Sequence, residues 1–474
     1  MKIAIVGGGM AGWLSALFFS RKHPQHDIVV IESPDLNPVG VGESTTGMFL
    51  KLLFNSPIDI NFKEFIQRTD STPKLGIHFK NWAKLGDEYL APLDFSFTAE
   101  DPIDSAVYFS HTLDSSLFSA TLNGRLLRER KVCYTSDLSF NHSALHLDSL
   151  KTIKYLRSIT PLETISANVI DVIRDEKGNV TKLITTEQDV EADFFVDCTG
   201  MARVLRDKSD WISFKDNLPM NSATVFETEH NGNFSCATGA DAASSGWMWK
   251  IPTKDRYGQG YVYNDAFLTE DDSVKEILEL YPDAKIKKTI KFDTGKLNKA
   301  CSNNVLSIGL AYHFLEPLQA TNIHLTLLQL EWFTTKCMFD PFNKYVINRF
   351  NSQVDHTIEN FKDYINCHYA TKRDDTKFWK WNSQWNHLTD NVRDIVESFK
   401  VRGLFSNDFH IVDGETGISL WTYTLLGSRH INDDQIKNIL QKCGVSQYAM
   451  QKNSVVYSTG NFINYTEFMN AIES

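Results

Sequence analysis

The stretch KIAIVGGGMAGWLSALFFSRKHPQHDIVVIE, residues 2–32, decides the fold class of this chain. It begins with an apolar run typical of a buried parallel strand, passes through Gly7, Gly9 and Gly12 in a GxGxxG pattern, and continues as a helical segment and a second strand. Glycines at this spacing let backbone N–H groups approach a pyrophosphate at the start of a helix. Glu32 ends the second strand, where an acidic residue accepts hydrogen bonds from ribose hydroxyls. The stretch therefore predicts a βαβ unit that binds a dinucleotide.

The same N-terminal segment has an alternative interpretation, because a lysine before an apolar run is typical of a secretory signal peptide. Three consecutive glycines and an acidic residue downstream have no role in such a peptide, whereas a nucleotide-binding unit needs both. No other segment approaches the roughly 20 apolar residues that span a bilayer. We therefore expect a cytoplasmic protein with no membrane association.

Composition narrows the class of function. With 474 residues, of which 42% are hydrophobic, the chain is large enough to bury a core shared by two or more lobes. A formal net charge of −11 disfavours nucleic acids and anionic membranes as partners, because both require clustered Lys and Arg. The seven cysteines are scattered and include no CxxC pair, so we expect no metal site and no disulfide framework.

Later segments extend the first unit into two lobes. VDCTG, residues 196–200, resembles the late strand and turn of FAD-binding folds, in which Asp197 and Gly200 approach the cofactor; a buried strand with an ordinary glycine turn is the alternative. We predict an α/β fold with two fused lobes. The first, over residues 1–325, is a FAD-binding GxGxxG lobe (Rossmann-like, of the flavin monooxygenase type) that includes inserted strands and substrate-facing segments. The second, over residues 326–474, is a mostly helical substrate lobe packed on the first. Further strands are predicted at 168–174, 180–186, 193–198 and 305–309, and helices at 324–339 and 354–368.

The segment GWMWKIP, residues 246–252, carries two tryptophans at positions i and i+2. On a strand these rings lie on one face, where they can wall a channel; a plain core strand is the alternative. The segment resembles the WxWxIP signature of flavin-dependent halogenases. In this chain the signature falls on Trp247, Trp249, Ile251 and Pro252.

Further segments resemble the same family and occur in the family's order. GVGESTTG, residues 40–47, resembles a loop near the flavin and includes Gly42 and Glu43. STPKLGIHFKNW, residues 71–82, places Lys74 at the position of the family's catalytic lysine. The resemblance covers roughly residues 1–380, and the remainder of the chain carries no recognisable motif. The other matching segments are HLD at 146–148, SIGLAYHFLEPL at 307–318 and HYATKRDDTKFW at 368–379.

The resemblance implies a two-component enzyme of the tryptophan-halogenase-like branch. A separate flavin reductase supplies reduced FAD, which with O2 and a halide ion gives hypohalous acid, and Lys74 would deliver the halogen to an electron-rich aromatic small molecule such as a free indole or phenol. A protonated Lys74 would hydrogen-bond the hypohalous acid, whereas a neutral amine would form a haloamine. Burial lowers the lysine pKa that decides between these forms, and the sequence leaves both open.

The family's halide site maps to the backbone amides of Thr321 and Asn322, at the start of a predicted helix, where unpaired N–H groups favour an anion. The family usually has glycine at the second position. Asparagine is among the few other residues that tolerate positive φ, so we expect Asn322 to preserve the loop while changing the pocket. Chloride, bromide and iodide therefore all remain candidate halides.

A second departure concerns the substrate. Tryptophan halogenases have a catalytic glutamate three residues after the glutamate of FLEPL, and this chain has Gln319 there. A carboxamide cannot take up a proton as a carboxylate does. We therefore expect a strongly activated ring, such as a phenol, rather than tryptophan. Glu316 is retained within FLEPL, where the family motif makes it structural, and it stays a second candidate for a substrate-facing or catalytic role.

Two other functions compete with a halogenase. A single-component flavin monooxygenase would share the glycine-rich lobe, but it usually has a late GD motif, and this chain has Leu310 where that Asp would lie. A catalytically inactive flavoprotein scaffold finds its best support in Gln319. A substrate tethered to a carrier protein would call for a basic surface, and TKR at 371–373 is the one cluster, so we favour a free small molecule. A homo-oligomer is left open.

Overall fold

The computed structural model describes residues 1–35, 42–93, 122–134, 143–230, 232, 235–404, 408, 418–442 and 461–473. The first two residues of the predicted flavin loop, 40–41, and much of the C-terminal region for which we found no motif lie outside these ranges.

The strands are β1 (Lys2–Val6), β2 (Asp27–Glu32), β3 (Gly42–Ser44), β4 (Thr72–Lys74), β5 (Gly76–Lys80), β6 (Glu88–Pro92), β7 (Lys131–Tyr134), β8 (Ala144–Asp148), β9 (Glu163–Ser166), β10 (Val169–Arg174), β11 (Val180–Thr185), β12 (Val190–Glu191), β13 (Phe194–Asp197), β14 (Trp211–Ser213), β15 (Ser222–Glu229), β16 (Ala237–Ala242), β17 (Gly246–Pro252), β18 (Arg256–Tyr263), β19 (Lys285–Lys291), β20 (Gly295–Leu297), β21 (Cys301–Ser302), β22 (Val305–Ser307), β23 (His313–Phe314) and β24 (Asn461–Asn464). The α-helices are α1 (Met10–Lys22), α2 (Gly47–Leu53), α3 (Phe62–Thr69), α4 (Leu122–Glu129), α5 (Ser149–Ser158), α6 (Glu270–Leu280), α7 (Thr321–Trp332), α8 (Lys344–His368), α9 (Lys377–Asn382), α10 (Asp390–Arg402), α11 (Ile418–Gly427), α12 (Asp433–Lys442) and α13 (Tyr465–Glu473).

The predicted βαβ unit lies at the centre of a six-stranded sheet with the order β21-β22-β13-β1-β2-β9. Strand β1 pairs in parallel with β2 on one side and with β13 on the other, so Val6 lies between Ile31 and Asp197 in the ladder. Helix α1 contacts β2, α5 and α7, which explains why its residues from 13 to 19 are all buried. The carboxyl ends of the parallel strands meet at one edge, the edge at which such sheets bind ligands.

A second sheet positions the tryptophan signature. Its order is β19-β15-β18-β17-β16-β5-β6, and its pairs are antiparallel except for β16 with β5. Strand β17, which carries the signature, lies inside this sheet between β16 and β18. A strand paired on both sides is held rigidly, so the two tryptophans project from a fixed support.

A small antiparallel sheet, β3-β8-β4, brings Lys74 next to the flavin loop. The middle strand pairs His146 with Ser44 on one side and with Thr72 on the other, and it pairs Lys74 with Ala144. Residues far apart in the chain therefore share one short ladder.

The predicted helix at 324–339 is an α-helix, α7, followed by one π-helical turn, Phe333–Cys337. The predicted helix at 354–368 is the second half of the longer helix α8. Residue 325, at which we placed the change of lobe, lies within α7, and one apolar core continues from Ile3 to Phe468 across it. Between β2 and β22 the predicted strands at 168–174, 180–186, 193–198 and 305–309 are all present, shorter by a few residues at their ends.

The mixture of a parallel sheet, an antiparallel sheet and surrounding helices confirms the predicted α/β class. Within the described ranges, no helix is both long enough and apolar enough to cross a bilayer.

Candidate active site

A cavity of about 980 Å³ opens at the carboxyl edge of the six-stranded sheet and extends toward strand β17 and the start of α7. Its lining includes many of the residues singled out from the sequence. Those residues are Gly7, Gly9, Glu32, Gly42, Glu43, Gly200, Trp247, Trp249, Ile251, Gln319 and Asn322. Gly12, Lys74, Asp197, Pro252, Glu316 and Thr321 lie outside this lining, and each contacts the groups described below.

The three glycines of the turn are required for different reasons. Gly7 has φ +123°, and a Cβ there would lie 2.3 Å from the Cys198 carbonyl oxygen. A Cβ on Gly12 would lie 1.8 Å from the Gly7 carbonyl oxygen, so this residue allows the helix to approach the strand. At Gly9 a Cβ would meet nothing within 4 Å, because the residue faces the open cavity. The lack of a side chain at Gly9 therefore leaves space for a ligand, whereas at Gly7 and Gly12 it allows other backbone segments to pack closely.

The start of helix α1 fits a bound pyrophosphate. Gly9 is the N-cap residue, and no side chain caps the first N–H groups, which border the cavity. Glu32 lies on the same cavity wall, where its carboxylate pairs with the Arg157 guanidinium at 2.6 Å. Arg157 also lies over the Trp13 ring, 5.5 Å from its centre. Open space, unpaired N–H groups and an acidic side chain together fit the phosphate and ribose portions of FAD.

Asp197 and Gly200 have separate roles. The Asp197 side chain is fully buried, and its carboxylate accepts hydrogen bonds from the Thr199 N–H at 3.0 Å, the Thr199 hydroxyl at 2.6 Å and the Leu205 N–H at 3.0 Å. Gly200 follows with φ +64° and lines the cavity. Asp197 thus holds the turn in place, and Gly200 is the member of the pair that borders the cavity.

The tryptophan signature forms a wall of the cavity, as the alternation of side chains along a strand predicts. The Trp247 and Trp249 ring centres are 6.4 Å apart, and both rings line the cavity together with Ile251. On the neighbouring strand, a Cβ on Gly260 would lie 2.0 Å from the Trp249 ring. Pro252 lies behind this wall, where its carbonyl oxygen accepts a hydrogen bond from the Thr72 hydroxyl at 2.7 Å.

Glu316 fixes the orientation of one of these tryptophans. Its Oε2 atom accepts hydrogen bonds from Trp247 Nε1 at 3.0 Å and from the Tyr369 hydroxyl at 2.5 Å. The carboxyl group is fully buried, and burial raises its pKa to about 7. These contacts place Glu316 behind the cavity wall as a support for Trp247.

Lys74 is a fully buried amine at the end of β4. Its Nζ donates a hydrogen bond to the Thr45 carbonyl oxygen at 2.8 Å, and within the described part of the chain no carboxylate forms an ion pair with it. Burial lowers its pKa to about 7. The next residue in the loop, Thr46, is hydrogen-bonded through Oγ1 to His324 Nδ1 of α7 at 2.7 Å. The flavin loop therefore connects Lys74 with the helix that begins at the predicted halide site.

A chain of hydrogen bonds runs from the cavity toward the same region. Ser44 and Thr238 line the cavity and are joined through their hydroxyls at 2.9 Å. His146 Nε2 is 2.9 Å from the Thr238 hydroxyl, and its Nδ1 is 3.3 Å from the hydroxyl of Thr72. Burial, and then the nearby charge of Lys74, lower the pKa of His146. A neutral imidazole at this position leaves Lys74 as the basic group of the cluster.

The loop between FLEPL and α7 differs from our expectation. Positive φ occurs at Gln319, 69°, and at Ala320, 58°, whereas Asn322 lies in the first turn of α7. The expectation of a left-handed Asn322 is wrong, because the helix has already begun at Thr321. The Asn322 side chain instead forms two hydrogen bonds with the Leu315 backbone. Its Nδ2 donates to the Leu315 carbonyl oxygen at 3.0 Å, and its Oδ1 accepts from the Leu315 N–H at 3.3 Å. This bridge holds the start of the helix against the FLEPL segment.

Gln319 lines the cavity, and its Nε2 lies 2.8 Å from Nε2 of His368. Sequence reasoning did not identify His368, nor Arg157 and Thr238. The segment HYATKRDDTKFW begins at His368 and HLD begins at His146, so the matching segments contained the signal for both histidines. Nothing local in the sequence marks Arg157 or Thr238, because their partners belong to other strands.

Comparison with known proteins agrees with this geometry. A family model described as tryptophan halogenase matches residues 2–438. Tryptophan 6-halogenase ThaL of Streptomyces albogriseolus is 27% identical over 437 residues, which cover 84% of this chain and 81% of ThaL. Tryptophan 7-halogenase RebH of Lentzea aerocolonigenes is 28% identical over 441 residues, which cover 84% of this chain and 82% of RebH.

Among solved structures, BrvH, a flavin-dependent halogenase from Brevundimonas sp. BAL3, superimposes with a TM-score of 0.81 at 25% identity, and the match covers 99% of both chains. The family match spans the glycine-rich turn, Lys74, the tryptophan signature and the loop before α7. The chain therefore belongs to the tryptophan halogenase family and is a flavin-dependent halogenase.

Proposed function

We propose that this halogenase passes an electrophilic halogen through Lys74 to a free, electron-rich aromatic small molecule. The observation that supports the proposal is the environment of Lys74, whose amine is fully buried and donates to the Thr45 carbonyl oxygen at 2.8 Å. Exclusion of water strengthens each polar interaction of such an amine and protects an electrophile from side reactions.

FAD is the proposed cofactor. Gly9 and the open N-terminus of α1 would hold its pyrophosphate, and Glu32 its ribose, while Gly42, Glu43 and Gly200 would border the remainder of the molecule. When bound in the reduced form, FAD would supply two electrons and two protons, which together with O2, a halide ion and one further proton give hypohalous acid and water. A separate flavin reductase is the proposed source of those electrons, since single-component flavin monooxygenases usually have a mid-chain DG motif linked to NADPH use, and no clear DG motif follows the second strand pair of this chain.

Lys74 would hold the hypohalous acid. One hydrogen of its ammonium group is directed at the Thr45 carbonyl oxygen, which leaves the others to bind the oxygen of the acid and direct the halogen at the ring. The ring then loses a proton and gains a carbon–halogen bond, and the released proton leaves with the oxygen as water. A pKa of about 7 also makes the neutral amine accessible, so the haloamine route remains open for the pH experiment described below.

The halide would bind at the backbone N–H groups of Thr321 and Asn322. They lie in the first turn of α7, whose N-cap, Ala320, provides no side-chain hydrogen bond. The bridge from Asn322 to Leu315 supports this turn. Chloride, bromide and iodide are all candidate ions.

The substrate proposal rests on Gln319. Its carboxamide offers no base to remove the ring proton, so the ring must stabilise its own cationic intermediate. Phenols and indoles do this through an attached oxygen or nitrogen. ThaL and RebH are named as tryptophan halogenases, and tryptophan therefore belongs in the panel of substrates that tests this proposal.

The test is halogenation by the purified protein with FAD, a generic flavin reductase and NADH, with each of the three halides and a panel of indoles, phenols and tryptophan. We expect products carrying the added halogen mass, and we expect Lys74→Met to abolish them while FAD still binds. The matched control is Lys80→Met, which removes an exposed lysine six residues further along the chain and should leave the yield unchanged.

Three results would contradict the proposal. Halogenation by Lys74→Met at the normal rate would remove Lys74 from the mechanism. Products that gain only oxygen would indicate a monooxygenase, and bound FAD without any product would indicate an inactive scaffold.

A further inference from the structure

The Gln319 side chain meets the protein at one end and the cavity at the other. Its Nε2 atom lies 2.8 Å from Nε2 of His368, and Gln319 lines the cavity. A carboxamide is planar and carries its donor and its acceptor on opposite sides. The identity of the atom that faces His368 therefore decides which atom faces the cavity.

The tautomer of His368 follows from its contacts. Its Nδ1 is 2.9 Å from the Tyr364 carbonyl oxygen, which can only accept, so Nδ1 carries the hydrogen. His368 is fully buried, and burial lowers its pKa to about 4, so the ring is neutral at physiological pH. Nε2 then carries a lone pair and accepts a hydrogen bond. The Gln319 amide must direct its NH2 group at this lone pair, because its carbonyl oxygen would be repelled there.

The imidazole that makes this selection is itself held firmly. Its ring packs 5.3 Å from Phe79, 6.1 Å from Trp82 and 5.0 Å from Tyr364, measured between ring centres. The Thr424 hydroxyl lies 3.3 Å from the same Nε2 atom. Rotation of this imidazole would break contacts on several sides.

We infer that Gln319 Oε1 is the hydrogen-bond acceptor that selects ring substrates carrying an N–H or O–H group, and that His368 is the positioning residue that fixes it. Within the described part of the chain, no group donates to Oε1. The inference rests on the proposed function and adds a substrate class to it. A site built to accept a hydrogen bond rejects analogues that lack the donor, because its buried acceptor is then left unpaired.

The inference also explains why Gln replaces Glu beside His368. A carboxylate at position 319 could bind Nε2 of His368 only if that nitrogen carried a proton, whereas the Gln319 amide donates to the neutral ring. Gln319 and His368 therefore form a matched pair in which the amide supplies the hydrogen that the imidazole lacks.

The test compares the best substrate of the panel with its N- or O-methylated counterpart, for example indole with N-methylindole, by the ratio of their kcat/KM values for halogenated product. In the wild-type protein we expect the donor-bearing member to be favoured by about tenfold, the value of one neutral hydrogen bond. Gln319→Met has nearly the same length and no acceptor of comparable strength. It should reduce the preference to about twofold or less while halogenation continues.

His368 is tested in the same ratio. His368→Leu removes the acceptor that orients the amide, so we expect the preference to fall to about threefold. His368→Gln presents a carbonyl oxygen to the same NH2 group and should restore most of the preference. A residue that only filled space would be replaced better by Leu than by Gln, so the order of the two variants separates positioning from packing.

The outcomes distinguish this inference from the proposed function. Absence of halogenated product from any ring in the wild-type protein would overturn the proposed function. Halogenation with an unchanged ratio in Gln319→Met, or a best substrate without any N–H or O–H group, would overturn the inference alone. If His368→Gln lost the substrate preference as completely as His368→Leu, His368 would not be a positioning residue for Gln319.

Discussion

The two ends of the cavity are built differently. At the nucleotide end, the groups that would contact FAD are mostly backbone atoms of one continuous stretch, from β1 through Gly9 to Glu32. At the other end, where we propose the chemistry, the groups are side chains from separate parts of the chain: Gln319 lines the cavity, and Lys74 lies outside its lining. A backbone site tolerates change in side chains but not in glycines, whereas a side-chain site depends on each partner that sets a pKa or an orientation.

The largest effect is expected at the nucleotide end. Gly9→Val should reduce the affinity for FAD by at least about 100-fold, because its side chain enters space that the pyrophosphate needs. The fold should persist, since a Cβ on Gly9 meets nothing within 4 Å. Flavin fluorescence quenching measures the affinity, and a thermal melt followed by circular dichroism measures the fold.

Gly12→Val is the matched comparison in the same turn. A Cβ there would lie 1.8 Å from the Gly7 carbonyl oxygen, so this variant should lose the fold together with FAD binding. If both variants bound FAD normally, the backbone account of this end would be wrong. If both variants unfolded, Gly9 would be required for the fold, as Gly12 is, and not only for binding a ligand.

The next effect concerns Lys74 and pH. Burial lowers its pKa to about 7 in the folded protein, whereas an unfolded lysine titrates near its ordinary value of 10.5. Between these pH values the unfolded state holds the extra proton, so stability rises with pH across the window and the penalty is complete below pH 7. Lys74→Met should therefore stabilise the protein most at pH 7 and below. Its advantage should shrink by roughly 1.4 kcal/mol per pH unit as the pH approaches 10.

Urea unfolding of both proteins from pH 6.5 to 10 measures this difference, and Lys80→Met serves again as the exposed control. A difference between wild type and Lys74→Met that stays constant over the range would contradict the lowered pKa. The pH profile of halogenation then chooses between the two chemical routes. Activity that falls as the pH rises above 7 indicates the ammonium form, and activity that falls below pH 7 indicates the neutral amine.

The smallest effect is expected at Glu316. Glu316→Gln keeps an oxygen that accepts from Trp247 Nε1, so it should cost only about 1 kcal/mol of stability. Glu316→Leu leaves the buried donors of Trp247 and Tyr369 without a partner and should cost about 2–4 kcal/mol. Chemical denaturation measures both values. Equal costs for the two variants would show that the carboxyl group does not hold Trp247.

Much of the fold could be predicted from local patterns. Hydrophobic periodicity predicted strands β1, β2, β13 and β22, and the structure contains each of them at the predicted place. It also predicted a helix in the first unit, where α1 lies, and helices in the regions of α7 and α8. The limits of α7 and α8 were harder to predict. The π-helical turn after Trp332 and the full length of α8 depend on packing against other elements, which periodicity does not report.

The candidate site was likewise predicted only in part from the sequence. The family resemblance is confirmed, and it located Lys74 and the tryptophan signature without any structure. Two residues nevertheless have contacts that the sequence did not suggest: Asp197 holds a turn with its carboxylate, and Asn322 bridges to Leu315 instead of adopting positive φ. Their partners, Thr199 and Leu205 for Asp197 and Leu315 for Asn322, are near in the sequence, but hydrophobic periodicity does not report the turns that bring them into contact.

By itself the sequence determined the βαβ unit, the glycine turn with Glu32 and the family, because these depend on consecutive residues whose geometry is local. The tertiary structure alone decided that Lys74 would be buried with a lowered pKa, that Glu316 would support Trp247, and that His368 would direct the amide of Gln319. The physical reason is that burial and hydrogen-bond direction are set by neighbours in space. In this protein those neighbours come from the loop after β3, from β17 and from the end of α8, which only the folded chain brings together.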